Sequence, residues 1–313
     1  MGKFVGTCSF YHQPVMVSEV LEVLEGVPAG TILDATLGGG GHSEAILDFR
    51  SDIEVIAIDS DESALIAARM RLERFGKRIV LEKSNFVNFE SVLDKYGIEV
   101  LAGFLFDLGV SSAQIAQPER GFSYKNVGPL DMRMDQSQKK IAFDIVNGSK
   151  VEDLSKLLQR NSQERYAKRI ALAVVHNRPI SDTGELAEIV KSAIPAAARR
   201  RGGHPAKRTF QAIRIEVNSE LTVLESSFRE AIKRLVPGGR GMALSYHSGE
   251  DRIVKNSIRE AVSGGCICPA HLPCSCGSKS LASARSKSIR PSELEISSNS
   301  RAKSARLRFL ERK

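Results

Sequence analysis

The stretch Asp34–Ser43, DATLGGGGHS, sets four glycines directly after a short apolar run and puts His42 behind them. Consecutive glycines cost backbone entropy and weaken any helix or strand they enter. They belong where main chain must come close to something. A glycine-rich turn between a first strand and a first helix does this, and it aims the helix N-terminal N–H groups at a ligand. Asp59, at the end of the next apolar run, fits the same scheme, because a carboxylate there accepts hydrogen bonds from ribose hydroxyls. Its alternative is a cap for the helix that opens near Asp61. The loop is not G-x-G-x-x-G, and His42 stands where a dinucleotide site needs its packing glycine. Adenosylmethionine has no phosphate to seat, and its carboxylate and sulfonium-bearing chain need close backbone contact. The loop therefore fits a methyl donor better than a nicotinamide dinucleotide.

Two further groups of residues could do chemistry. Arg199, Arg200, Arg201, His204, Lys207 and Arg208 crowd one stretch. They suit a nucleic-acid backbone, with salt-dependent affinity and little sequence reading; the alternative is a solvated basic loop. Cys266, Cys268, Cys274 and Cys276 form C-x-C-x5-C-x-C with His271 inside, while Cys8 stands alone. Clustered thiols can hold zinc, but C-x-C is tighter than the usual knuckle. They also read as a reduced, cysteine-rich surface loop, and no metal is assigned. Five cysteines, an odd number, argue against a disulfide framework.

The elements that must position these residues follow from hydrophobic spacing. Val17, Val20, Leu21 and Leu24 have helical spacing that stops at Gly26. Thr31–Ala35, Glu54–Ile58, Ile79–Leu81 and Gly103–Leu108 read as strands; His42–Phe49, Asp61–Phe75 and a segment capped by Asn88 read as helices. Continuous apolar strands between amphipathic helices imply a parallel sheet covered on both faces. From Ser111 the pattern changes to a Gly- and Pro-rich stretch and then to helices over Val151–Leu158, Glu164–His176 and Glu185–Ala193. One long helical stripe runs from Phe210 through Ile213, Val217, Leu221, Leu224, Phe228 and Ile232 to Leu235 and ends at Pro237-Gly238-Gly239. It reads as core or as a homodimer contact. Strands return at Gly241–Tyr246 and Ser304–Leu310, and the Ser- and Lys-rich segment between, about 277–303, reads as mobile. The simplest organisation is an α/β domain from residues 1–110 and 216–313, with a mainly helical domain, 111–215, inserted to recognise the substrate.

The 313 residues suffice for more than one buried core. With 42% hydrophobic and 26% charged residues, the composition is that of a soluble protein. There is no apolar run of the ~18 residues a membrane span needs, and the N-terminus lacks the apolar core of a secretory signal. These features point to a cytoplasmic protein without a membrane partner, and a formal net charge of +8 suits a polyanionic one.

The blocks HQPVMVSEVLEVL, DATLGGGGHS, AIDSDE, DLGVSSAQ, RGFSY, GPLDMRMD, GHPAKRTFQAIRIEVNSEL and SYHSGEDRIVK, in this order and spacing, resemble the bacterial 16S rRNA cytosine-N4 methyltransferases, the RsmH or MraW family. The likeness runs from about Tyr11 to Lys255, with a last strand in SARLRFLERK; the cysteine cluster and the Ser/Lys-rich segment lie outside it. The resemblance implies a class I (Rossmann-like) methyltransferase sheet with an inserted helical domain. It also implies S-adenosylmethionine as methyl donor, and N4 of a cytidine in the decoding region of 16S rRNA, within the small ribosomal subunit, as acceptor. Carried over by position, Gly40, Gly41 and His42 contact the methionine part of the donor, Asp59 its ribose, and Phe86 packs near the adenine. Asp107 faces the donor and Gln114 closes that side.

Cytosine N4 is a poor nucleophile, so transfer needs alignment and acceptors for its hydrogens. DLGVSS stands where amino-methyltransferases carry a polar residue followed by Pro-Pro and an aromatic, and the Pro-Pro-aromatic part is absent. The proton acceptor is then Asp107, the carbonyl of Leu108, or a hydroxyl of Ser111 or Ser112. Tyr246, His247 and Ser248 line the acceptor pocket in this reading, with Tyr246 stacked on a base held out of its helix; a structural strand-end role is the alternative. Gly249 replaces the leucine of many members. Rival functions are a methyltransferase of this fold acting on another RNA or on DNA, and a catalytically silent ribosome-assembly factor.

Overall fold

The computed structural model describes residues 14–200, 203–269 and 275–313. The chain divides into two compact units, Met1–Gly109 with Val223–Lys313, and Val110–Thr222. No helix of the described residues is long and apolar enough to cross a membrane.

The first unit is a mixed α/β sheet structure. Helix α1 (Val17–Leu24) buries Val20, Val23 and Leu24. Then β1 (Gly30–Asp34), α2 (Gly41–Phe49), β2 (Ile53–Asp59), α3 (Glu62–Leu72), β3 (Ile79–Lys83), α4 (Phe89–Lys95) and β4 (Leu101–Asp107) alternate. Neighbouring residues along the strands feed opposite cores. Ile32, Val55, Ala57 and Leu105 join one cluster, while Leu33, Ile56, Ile58, Phe104 and Phe106 join the other. Burial on both faces is why these strands read as unbroken apolar runs.

The second unit is helical: α5 (Ser112–Ala116), α6 (Ala142–Gly148), α7 (Val151–Ser162), α8 (Ala167–His176), α9 (Thr183–Ala193), α10 (Ala196–Arg199) and α11 (Lys207–Asn218). Leu154, Leu158, Ile170, Val174, Val190, Phe210 and Ile213 belong to its own buried cluster. The stretch after α5 is held by polar contacts as well as burial. Buried Arg120 donates to the carbonyls of Arg133 and Met134, each at 3.0 Å. Asn218 Nδ2 donates to the Met132 carbonyl at 2.8 Å.

The chain re-enters the sheet through α12 (Glu220–Arg234), β5 (Leu235–Ser245), α13 (Ser248–Ser263), β6 (Ala282–Ala284), α14 (Glu293–Ser298) and β7 (Arg306–Arg312). The 7-stranded sheet has the order β3-β2-β1-β4-β5-β7-β6. Strands β1 to β5 run parallel, and β7 is antiparallel to β5 and β6. The order reverses between β1 and β4, the crevice where open α/β sheets bind ligands at their strand C-terminal ends. Asp34, Asp59 and Asp107 are the last residues of β1, β2 and β4.

Four sequence expectations are corrected. The long stripe from Phe210 to Leu235 is two helices, broken at Ser219 in left-handed conformation (φ 52). Its first half joins the helical unit's core and its second half, Leu224, Phe228 and Ile232, the sheet's. The helix ends at Arg234, and Pro237-Gly238-Gly239 already lies in β5, next to the register shift between Leu101 and Gly103. Asn88 makes no side-chain cap; Asn85 does, accepting from Val87 N–H at 3.0 Å. The Ser/Lys-rich segment is ordered: Ile289 and Leu307 exchange backbone hydrogen bonds of 2.9 and 3.0 Å, and Glu295 Oε1 accepts the Met16 N–H at 2.6 Å. Its polar composition reflects largely outward side chains, while Ala282–Ala284 and Ile289 pair with β7.

Candidate active site

The loop from Ala35 to Gly41 is fastened at both sides. Ala35 N–H donates to the Leu105 carbonyl (2.9 Å) and Leu37 N–H to the Ile58 carbonyl (3.0 Å). Gly40 caps α2 in left-handed conformation (φ 77, ψ 13). A Cβ there would meet Leu72 Cδ1 at 3.0 Å, and one on Gly41 would meet Pro14 Cγ at 2.9 Å. Both positions thus need glycine, one for its dihedral and one for its neighbour. A Cβ on Gly39 meets nothing within 4 Å, so the loop has an open side.

Asp59 lies beside this loop. Its Oδ2 accepts the Gly38 N–H and its Oδ1 the Asp61 N–H, both at 2.8 Å. Burial pushes its carboxyl up to about 6, against the pull of these two donors. A carboxylate offers about four lone-pair positions. One on each oxygen is taken, which leaves both oxygens able to accept from a vicinal diol. Helix α3 is capped by Asp61, whose Oδ1 accepts from Ser63 N–H at 3.0 Å, so Asp59 is not that cap.

Asp34 and Ser43, the two ends of the glycine motif, meet in the interior: Ser43 Oγ donates to Asp34 Oδ2 at 2.6 Å. Desolvation raises the Asp34 carboxyl above the usual range, and the Ser43 hydrogen bond opposes it. Thr36 reaches β4 instead, its Oγ1 accepting the Asp107 N–H at 2.6 Å. The first loop therefore sets the position of Asp107. Sequence reasoning passed over Asp34, Thr36 and Ser43; the signal available was three hydrogen-bonding side chains flanking glycines in one motif.

Asp107 gathers the rest. Tyr246, just past β5, donates its hydroxyl to Asp107 Oδ1 at 2.7 Å. Burial first, and then the Asp107 charge, hold the Tyr246 phenol well above its ordinary pKa, so it stays a donor. His42 Nε2 comes within 3.5 Å of Asp107 Oδ2. That is ion-pair range without hydrogen-bond alignment, and both ring nitrogens lack a hydrogen-bond partner among the described residues. The His42 side chain is 6% exposed and that of Asp107 25%. A buried, unpartnered imidazole beside a glycine loop suits the charged amino-acid end of a ligand. Together with the diol-ready Asp59, these residues fit S-adenosylmethionine.

Other expected residues have different surroundings. The Phe86 ring stands edge-on to Phe106, centroids 5.6 Å apart, just after Ser84, whose N–H donates to the Asp59 carbonyl at 3.0 Å. His247 turns to its own helix: its Nδ1 accepts from Gly249 and Glu250 N–H (3.1 and 3.3 Å) as the N-cap of α13. Glu250 completes the cap, its Oε2 accepting from Tyr246 and His247 N–H at 2.8 and 3.2 Å. The geometry therefore gives His247 a structural task as the N-cap of α13.

Ser111 and Gln114 belong to the helical unit. They cap each other: Ser111 Oγ accepts the Gln114 N–H at 3.2 Å, and Gln114 Oε1 the Ser111 N–H at 3.0 Å. In the same unit Arg199, Arg200, His204, Lys207 and Arg208 are exposed, and Arg201 lies outside the described residues. His204 stacks on Tyr124, centroids 4.5 Å apart and planes at 18°. Tyr124 went unnoticed in the sequence because its partner is distant along the chain.

The family model for the MraW methylase family matches residues 9–313. The chain belongs to the MraW methylase family. Its relatives agree. A Ribosomal RNA small subunit methyltransferase H from Carboxydothermus hydrogenoformans is 48% identical over 308 residues, covering 97% of this chain and 98% of that protein. Proteins of the same name from Symbiobacterium thermophilum and Brevibacillus brevis are each 46% identical, covering 96% and 98% of this chain and 96% and 99% of theirs. This methylase is thus a methyltransferase, with the loop, Asp59 and Asp107 at the strand ends where its fold binds ligands.

Proposed function

We propose that the protein transfers a methyl group from S-adenosylmethionine to N4 of a cytidine in the decoding region of 16S rRNA, in the small ribosomal subunit. Family membership and the names of the relatives support the substrate. The observation that carries the chemistry is Asp107, held by Tyr246 at one oxygen and approached by His42 at the other.

When bound, the donor supplies an electrophilic methyl on a sulfonium. The chain's own residues do the rest. Gly40, Gly41 and His42 receive the methionine end, Asp59 accepts from the ribose hydroxyls, and Phe86 flanks the adenine. Tyr246 occupies Asp107 Oδ1, which leaves Oδ2 to accept an N4 hydrogen and to take the proton released as the new C–N bond forms. Of the acceptors considered from sequence, this favours Asp107. Ser111 and Gln114 hold each other through their mutual cap at the start of the helical unit. Arg199, Arg200, Arg201, His204, Lys207 and Arg208 meet rRNA phosphates.

The test uses small subunits that lack the modification, incubated with the protein and labelled S-adenosylmethionine. Digestion should place the label in N4-methylcytidine, and Asp107→Ala should abolish it. Label in another nucleoside would change the acceptor. No label despite measured donor binding would favour the assembly-factor reading.

A further inference from the structure

None of the described residues between Ala261 and Ala282 is buried, and Ile267 is 90% exposed. Apolar burial does not organise the described residues between α13 and β6. Yet the sulfurs of Cys266, Cys268 and Cys276 lie within 4.8 Å of one another. Cys276 Sγ is 3.5 Å from Cys266 Sγ, well beyond the ~2.05 Å of a disulfide. Sulfurs at ~2.3 Å from a tetrahedral ion stand roughly 3.8 Å apart, which is the spacing class seen here.

We propose that Cys266, Cys268 and Cys276 form a thiolate site for a structural zinc ion that ties the end of α13 to the approach to β6. Thiolates are the ligands zinc prefers in structural sites. Polar groups already face them. Ser278 Oγ lies 2.9 Å from Cys276 Sγ, and Ser275 Oγ 3.8 Å from Cys268 Sγ. Binding displaces the thiol protons to solvent and changes no oxidation state. The ion would supply the cross-link that burial does not, and Leu281 N–H closes the same segment on the Ala261 carbonyl at 2.9 Å. Structural zinc takes four ligands, and the three described thiolates supply three of them.

The full-length protein, purified under reducing conditions and passed through metal-free buffer, should retain about one zinc per chain by elemental mass spectrometry. The Cys266→Ser/Cys268→Ser/Cys276→Ser variant should retain less than about a tenth of that. Cobalt added to the metal-stripped wild-type protein should give a thiolate-to-metal charge-transfer band, a readout that does not depend on the variant folding. Zinc content that is negligible in the wild type, or unchanged in the triple variant, overturns the proposal. So does a cobalt-loaded wild type without the charge-transfer band.

Discussion

Asp59 and Asp107 are carboxylates at equivalent strand ends with different neighbours, and their neighbours separate their tasks. Asp59 titrates at about 6, raised from its unfolded value near ~3.9. A raised carboxyl favours the folded state below the unfolded pKa, and that advantage is lost as pH rises through about 6. Donor binding runs the other way, because ribose hydroxyls donate to the ionised form. Affinity for S-adenosylhomocysteine should be full above about pH 6 and fall below it, at most ~10-fold per pH unit. Calorimetry across about pH 5–7 checks this, and Asp59→Asn should remove the slope. At Asp107 the expectation concerns rate. Tyr246→Phe deletes one donor, so kcat should fall ~10- to 100-fold while donor affinity stays near wild type. Equal losses in both would make Tyr246 a donor-binding residue.

At the scale of elements, the loop between β1 and α2 and the cap of α13 carry the site. Gly40→Ala places a side chain at φ 77 against Leu72. It should cost about 1–2 kcal/mol in denaturant unfolding and weaken donor binding. His247→Ala removes a cap and should cost ~1 kcal/mol, whereas His247→Asn should restore most of it because Asn caps well. Methyl transfer surviving in His247→Asn marks the residue as structural; complete loss would return it to the chemistry. Much of this scale was legible. Strands β1, β2 and β4 are short apolar runs buried on both faces, and such runs announce themselves. The break at Ser219 was not, because the apolar stripe continues through it in register while its halves join different cores.

For the whole molecule, charge is the property that matters. The net charge is +8, and no ion pair engages Arg199, Arg200, Lys207 or Arg208 among the described residues. Replacing these four with Gln should weaken binding to small subunits and flatten the salt dependence, by about 0.7–0.9 in slope for each phosphate no longer neutralised. Filter binding at several salt concentrations measures it, with donor affinity as the unchanged control. An unaltered slope would mean that the patch does not meet RNA.

The placement of the glycine loop, Asp59 and Asp107 at strand ends was determined by sequence alone, because it is local: each stands at the end of a strand that its own neighbours define. The blocks that carry the family resemblance are likewise ordered along the chain. Only the tertiary structure decided which groups meet. Tyr246 reaches Asp107, Thr36 holds the Asp107 backbone, Ser43 closes on Asp34, and His247 caps its own helix. These partners are side-chain hydrogen bonds across strands and turns, and no periodicity encodes them. Their geometry arises when the parallel strands align their ends, which is a property of the sheet and not of any one segment.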